Sequence, residues 1–573
     1  MDLSDSPTVA INGCTFVGAF QHASDKYPRP LEFFYGIPYA TAQRFCAAEP
    51  LPPSEALGVY TASQPAHIQP IPMAQYPTAE SPLTLNIFRP SASRSPLRYA
   101  VDPPHVALWD LPVVVYVHGG AFNFGYPLER DLASFMAWSP RPIMVVSISY
   151  RLGALGFLAA APETQELNLG LKDQRVALEW LTEWVGHFGG NPDNITLLGV
   201  SAGAHSVGHH MLNPSPFPFR KAILESGSPT ARSVLSPLHA RTVSQSLQLQ
   251  AYAMNQPLEI LPVDSLINAS FAVYAMNHTA VTWPFQPVID GPKGVIPDMP
   301  LNLWREFIDS GRARDMAIIT GFCSDEGTSF APQHASTSAE FRSFFQKLIP
   351  SFSAEDLDAL ELLYPDPLIH PDSPYRQPPG IGGPQKRPYS AQFRRIHQAY
   401  GHYAYVCPVL HTAHTLSRAG AHVYLYEYAP LSSPFGAASH GDQTSIVANE
   451  LNALGSTPGL RAVAKEMNHR WTTFCHSPSG RLNKDRKRQA WPAFQSPLGD
   501  DSSAAVLTGA GIGELLVFGE GNDEAAGGKS QGTPVKTRKL TDSELEQCRF
   551  WWDRMELSQG MGERGTASAW LKA

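Results

Sequence analysis

The sequence predicts an α/β fold, a mostly parallel central sheet flanked by helices, and three observations lead to it. Short apolar runs rich in β-branched residues recur at 113–117, 143–148, 195–198, 317–320, 423–426 and 515–518. Several are continuous rather than alternating, the pattern of strands buried on both faces. Segments with helical spacing lie between them, and one run leads directly into Gly199-Val-Ser-Ala-Gly203, a signature of a sharp strand-to-helix turn.

In chain order, the first run closes on His118-Gly-Gly-Ala-Phe122, where small residues let the backbone approach a ligand closely. After the second, 172–185 carries Val176, Ala177, Trp180, Leu181, Trp184 and Val185 as one stripe at helical spacing. Its two tryptophans read as core, and Phe188-Gly-Gly-Asn-Pro192 stops the helix. Run 195–198 enters the turn at Ser201, and 202–212 continues as a helix. Run 317–320 is followed by Gly321-Phe-Cys-Ser-Asp-Glu-Gly327, and run 423–426 by a small-residue loop, Phe435-Gly-Ala-Ala, and then Ser439-His-Gly-Asp442. Two stretches read as loops: 364–389, dense in Pro and Gly, and 519–532, rich in Gly, Glu, Asp and Ala and expected to be a mobile excursion. A last helix starts at Thr541, where Thr-Asp-Ser-Glu544 has capping-box spacing. Strand and helix signals resume after both loops, so a single domain is expected over 1–573.

Composition narrows the function. A hydrophobic fraction of 43% over 573 residues suits a large core. A net charge of −8 offers no attraction to nucleic acid or an anionic membrane surface. No run reaches the about 18 apolar residues of a transmembrane span. The start, Met-Asp-Leu-Ser-Asp-Ser-Pro7, carries acids where a secretory signal would be basic, and no apolar stretch follows. A cytoplasmic location is therefore expected. Cys14, Cys46, Cys323, Cys407, Cys475 and Cys548 are scattered without a C-x-x-C pair, which predicts separate buried thiols rather than a disulfide framework or a zinc site.

Ser201 at the apex of the turn is a candidate nucleophile, and a serine needs a base, an acid to orient that base, and donors for the developing oxyanion. The N–H groups of Gly120 and Ala121, with that of Ala202 after the serine, are the candidate oxyanion donors. Asp325 and Glu326 both follow a strand, where an α/β sheet places its site, and spacing leaves the two open. His440 is the candidate base. Nucleophile, acid, histidine is the chain order of the α/β-hydrolase fold. His205 and His209, spaced i, i+4, lack the acid of an H-E-x-x-H motif and read as packing or surface residues.

Further motifs make the chain similar to the type B carboxylesterases, which include cholinesterases and many fungal lipases and esterases. They are Phe34-Tyr-Gly-Ile-Pro-Tyr-Ala40 with Arg44-Phe45, Leu85-Asn-Ile87, Tyr150-Arg-Leu-Gly-Ala-Leu-Gly-Phe157, Gly170-Leu-Lys-Asp-Gln174, Ala222-Ile-Leu-Glu-Ser-Gly-Ser228 and Pro287-Val-Ile-Asp-Gly291. The resemblance implies one α/β-hydrolase domain with a deep gorge. It selects Glu326, the Glu of D-E-G, over Asp325 as the acid, and supports His440, the His of an H-G motif. The sequence departs from the family twice. Val200 stands where the family carries the Glu of G-E-S-A-G, a carboxylate near the catalytic histidine in relatives. The cysteines of the family's first disulfide align with His67 and Pro82, a paired loss that fits a reducing compartment.

The expected function is a serine esterase acting through an acyl-enzyme on an ester or lactone of a mostly apolar small molecule, in secondary-metabolite biosynthesis, with no metal or organic cofactor. An acyltransferase or lactone-forming enzyme would use the same triad. A non-catalytic homologue would typically have lost one of its members.

Overall fold

The structure is a computed structural model that describes residues 6–91, 110–159, 166–215, 217, 219–231, 234, 244–245, 247–248, 254–277, 284–376, 389–432, 436–482, 488–499, 509 and 511–558. Residues 1–5, 377–388 of the Pro/Gly-rich stretch and Phe435 of the loop before His440 lie outside them.

Among the described residues one sheet of twelve strands dominates. Its spatial order is Gln531–Lys539, Glu514–Asn522, His422–Tyr428, Ala317–Cys323, Lys221–Glu225, Gly190–Val200, Leu111–Val117, Met144–Ile148, Leu83–Pro90, Leu31–Thr41 and Ala19–Gln21, with Glu49–Pro50 paired to Leu31–Thr41. Every pairing from Glu514–Asn522 across to Met144–Ile148 is parallel. The pairings beyond those two strands are antiparallel. This is the α/β-hydrolase fold.

The continuous apolar runs are explained by packing on both faces. In Leu111–Val117 all seven residues are buried. Leu111, Val113, Val115 and Val117 join one hydrophobic cluster, while Val114 and Tyr116 join another across the sheet. Ala317–Cys323 divides likewise, Ile318 and Phe322 to one side and Ala317, Ile319 and Cys323 to the other. Strands clothed by helices on both faces need apolar side chains at every position. The helix Leu169–Trp184 carries the expected stripe as far as Trp184, and Val185 opens the short 3-10 helix Val185–Phe188. Trp180 sits in the core beside Phe188, with ring centroids 6.3 Å apart, and Trp184 is half-buried. The helix Asp542–Trp552 has a complete capping box between Thr541 and Glu544.

Two expectations are corrected. Residues 519–532 are not a loop excursion but the end of a hairpin, Glu514–Asn522 pairing antiparallel with Gln531–Lys539. The glycines that suggested a loop supply positive φ at its turns, as at Gly527 (φ 91°) and Gly532 (φ 61°). The six cysteines are all free thiols, but not all are buried, since Cys46 is exposed. Cys407, which opens the helix Cys407–Arg418, and Cys548, in Asp542–Trp552, remain thiols with their Sγ atoms 3.4 Å apart.

The parallel strands set up the site by ending together. Leu111–Val117, Gly190–Val200, Ala317–Cys323 and His422–Tyr428 point the same way, so the segments after them converge on one edge of the sheet.

Candidate active site

Ser201 follows the strand Gly190–Val200 and precedes the helix Ala202–Leu212, and its φ is 54°. A non-glycine residue in that region is strained, and the surroundings hold it there. Its N–H donates to Glu225 O at 2.9 Å, and its carbonyl accepts from His205 N at 3.0 Å. Glycine is required on both sides of it. A Cβ on Gly199 would sit 2.3 Å from the Gly203 backbone, and one on Gly203 would sit 2.0 Å from Val117 O.

Ser201 Oγ lies 2.8 Å from His440 Nε2, and His440 Nδ1 lies 2.5 Å from Glu326 Oε2. Glu326 is buried, and its other oxygen accepts the Cys323 N–H at 2.7 Å. Asp325 faces elsewhere, accepting from Gln398 Nε2 and Ser324 Oγ, each at 2.8 Å. The His440 loop is tied down on both sides. Asp442 accepts from Ser439 N at 2.7 Å and Ser432 Oγ at 2.5 Å, and Asp325 N donates to Ala438 O at 3.0 Å. Burial raises the Asp442 carboxyl above its ordinary value, with the two hydrogen bonds opposing.

Gly120, Ala121 and Ala202 line the same cavity, of about 460 Å³, as Ser201 and His440. The turn after the first strand runs through three positive φ values, 101° at Gly120, 54° at Ala121 and 62° at Phe122. The Gly120 carbonyl is taken by Asn123 N and Phe124 N at 2.9 and 2.8 Å. The N–H groups of Gly120, Ala121 and Ala202 have no acceptor among the described residues. Backbone N–H groups left unpaired beside a cavity form an anion cradle.

Sequence reasoning missed the struts. Asn123 Nδ2 donates to Ala121 O at 2.7 Å and to Pro284 O at 3.0 Å, joining the turn to a segment 161 residues away. Beneath Ser201, Glu225 is paired with Arg130 at 2.9 Å and accepts from Trp471 Nε1 at 2.8 Å. Tyr150 OH donates to His118 O at 2.8 Å, and the two rings stack at 4.4 Å. Burial lowers the His118 imidazole below its ordinary value, so the ring packs uncharged. Single polar residues without spacing partners leave no signal in one sequence.

The two helix histidines pack rather than pair. His205 Nδ1 contacts Ser228 O at 2.8 Å, and its ring lies 6.4 Å from that of Phe122. His209 is buried, which holds its imidazole well below the usual range. Val200, the departure beside the nucleophile, is 5% exposed and presents a methyl-lined wall to the cavity.

Comparison with known proteins gives a family by sequence and the same fold among solved structures. The model of the carboxylesterase family matches residues 5–506. A protein named Secreted lipase 4, from Gibberella zeae, is 31% identical over 69% of this chain and 70% of its own length. Acetylcholinesterase of Bungarus fasciatus is 28% identical over 80% and 77%. A protein of Byssochlamys spectabilis named as an inactive carboxylesterase-like protein is 27% identical over 81% and 82%. The crystal structure of EstA from Aspergillus niger superposes with a TM-score of 0.74 at 21% identity, covering 97% of this chain and 99% of that one.

Proposed function

The chain belongs to the carboxylesterase family and is a carboxylic ester hydrolase, and from that premise we propose that Ser201, His440 and Glu326 form its catalytic triad. Ser201 Oγ attacks the ester carbonyl while His440 Nε2 takes its proton. Glu326 holds the imidazole through Nδ1 and stabilises its cation. The N–H groups of Gly120, Ala121 and Ala202 receive the oxyanion. His440 then returns the proton to the leaving alcohol, and water, activated by the same base, releases the acid from the acyl-enzyme. The observation that carries the proposal is the continuous chain from Glu326 through His440 to Ser201, at 2.5 and 2.8 Å, on one cavity with three unpaired N–H groups.

The substrate proposed is a small ester or lactone, mostly apolar because Phe122, Phe124, Val200, Phe330 and Tyr405 form much of the wall. The same acyl-enzyme would serve an acyltransferase or lactone-forming enzyme, and added alcohols that divert product from acid to ester would reveal it. A non-catalytic role has a specific footing in the relative named inactive, and the intact hydrogen-bonded chain counts against it. Metabolite processing inside the cell is part of the proposal, resting on His67 and Pro82 in place of the family's cysteines. No helix among the described residues is long and apolar enough to cross a membrane.

The test is Ser201→Ala. It should abolish labelling by a fluorophosphonate and lower ester turnover by about 10⁴-fold or more. Undiminished labelling of that variant would refute the nucleophile.

A further inference from the structure

One polar side chain in the cavity has no part in the ester chemistry. Gln286 is 5% exposed and lines the cavity, and its amide has no hydrogen-bond partner among the described residues. Its amide is not among the enclosed unpaired polar atoms of the described residues, so it opens on the cavity, where two donors and an acceptor can meet a polar group of a bound ligand.

Its position is fixed rather than incidental. Asn123 Nδ2 donates to the carbonyls of Pro284 and Phe285, at 3.0 and 3.4 Å, while also holding Ala121 O. Phe285 takes a φ of 57°. The strained residue and the strut together set Gln286 beside the turn that carries the oxyanion donors.

The direction of the substrate follows from the proton transfer. A leaving alcohol oxygen must face His440 Nε2, whose ring is flanked by Tyr405 at 4.1 Å and Phe330 at 5.7 Å. An acyl chain running away from that ring stays within the cavity that Phe122, His205 and Gln286 also line.

We infer that the acyl part of the substrate carries an oxygen function, an oxo or hydroxyl group along its chain, and that the Gln286 amide reads it. Gln286 is then a specificity-determining residue, and the substrate is an ester or lactone of an oxygenated acid rather than of a plain alkanoic one. A site built to hydrogen-bond a substrate group discriminates strongly against the analogue lacking it, because the buried partner is left unpaired. The inference rests on the esterase reading above.

The experiment compares p-nitrophenyl hexanoate with its 3-, 4- and 5-oxo and 3-, 4- and 5-hydroxy analogues. Each kcat/KM is divided by the ester's alkaline hydrolysis rate, which removes intrinsic reactivity. The native protein should favour an oxygenated chain at one or more positions by at least about ten-fold. Gln286→Leu should bring that ratio close to one, and Gln286→Glu, which keeps an acceptor and loses both donors, should lose the oxo preference. Ratios within one preparation do not depend on how much of a variant folds. Native ratios near one at all positions, or a preference that survives Gln286→Leu, would overturn the inference while leaving the esterase reading intact. Failure of the native protein to hydrolyse any ester, together with no fluorophosphonate labelling, would overturn both.

Discussion

Arg130 and Glu225 form an ion pair at 2.9 Å inside the protein, with neither side chain exposed. The pair lies directly under the nucleophile, because the Glu225 carbonyl takes the Ser201 N–H while its carboxylate takes Arg130 and Trp471. The turn that strains Ser201 is therefore seated on a buried charge whose partner comes from the loop after the oxyanion turn. Local backbone strain persists only where surrounding structure holds it, and this pair is part of that hold.

Removing one member of a buried pair leaves the other charge uncompensated. Arg130→Met should destabilise the fold by about 3–5 kcal/mol, read as a lower urea midpoint, whereas Arg130→Met combined with Glu225→Gln should recover much of the loss. A single variant within about 0.5 kcal/mol of the native protein would show that the pair does not support the turn.

The acid is tested by two neighbours with opposite expectations. Glu326→Gln removes the charge facing His440 Nδ1 and should lower kcat by several orders of magnitude, about 10⁴-fold in comparable triads. Asp325→Asn exchanges a carboxylate that faces Gln398 and Ser324 and should leave kcat within a few-fold. The reverse order would move the acid by one residue.

How far the residues alone lead can be followed along the chain. All six apolar runs lie in the parallel core because strands packed on both faces carry their signal at every position. The turn at Ser201 was legible because Gly199 and Gly203 have contacts that admit no Cβ. The antiparallel flank was harder. Leu31–Thr41 holds Gly36 and Pro38, and its pairing with Leu83–Pro90 shifts register on either side of Ile37, so period and composition both mislead there. Spacing could not separate Asp325 from Glu326, since adjacent residues differ only in where tertiary structure turns them. Asn123 and Arg130 act through partners from more than ninety residues away, and neither they nor Gln286 has a local signature.

Acid should unfold the protein earlier than its carboxylates alone would. Burial lowers His210 and His411 to about 3, and His397, His402 and His414 to about 4. Each is neutral when folded and titrates near its ordinary 6.5 when unfolded. Between about 4 and 6.5 the unfolded chain binds more protons, so stability rises with pH across that window and is lost as pH falls through it. At pH 5.5 each histidine forfeits on the order of 1.4 kcal/mol. Urea midpoints should drop steadily from pH 7.5 to 5.5, and His210→Gln, which keeps a polar partner for Gln174, should flatten the slope. A midpoint constant over that range would contradict the burial of these rings as neutral groups.

The proposed compartment is open to test at Cys407 and Cys548, free thiols whose Sγ atoms lie 3.4 Å apart across 141 residues of chain. They join the helices Cys407–Arg418 and Asp542–Trp552, so a bond between them would fasten the C-terminal helix to the body of the protein. Burial pushes the Cys407 thiol well above its usual range, which keeps the thiolate scarce and makes oxidation slow rather than forbidden. A bridge closing a loop of that length contributes about 4–5 kcal/mol in the chain-entropy account. Reduced protein should titrate six thiols after denaturation. Protein oxidised slowly with a copper–phenanthroline catalyst should titrate four and melt several degrees higher, and Cys548→Ser should remove the gain. Six titratable thiols and an unchanged melting temperature after oxidation would show that the two sulfurs stay apart. Protein isolated from its own source without reductant then tests the cytoplasmic proposal in one direction: four titratable thiols would overturn it.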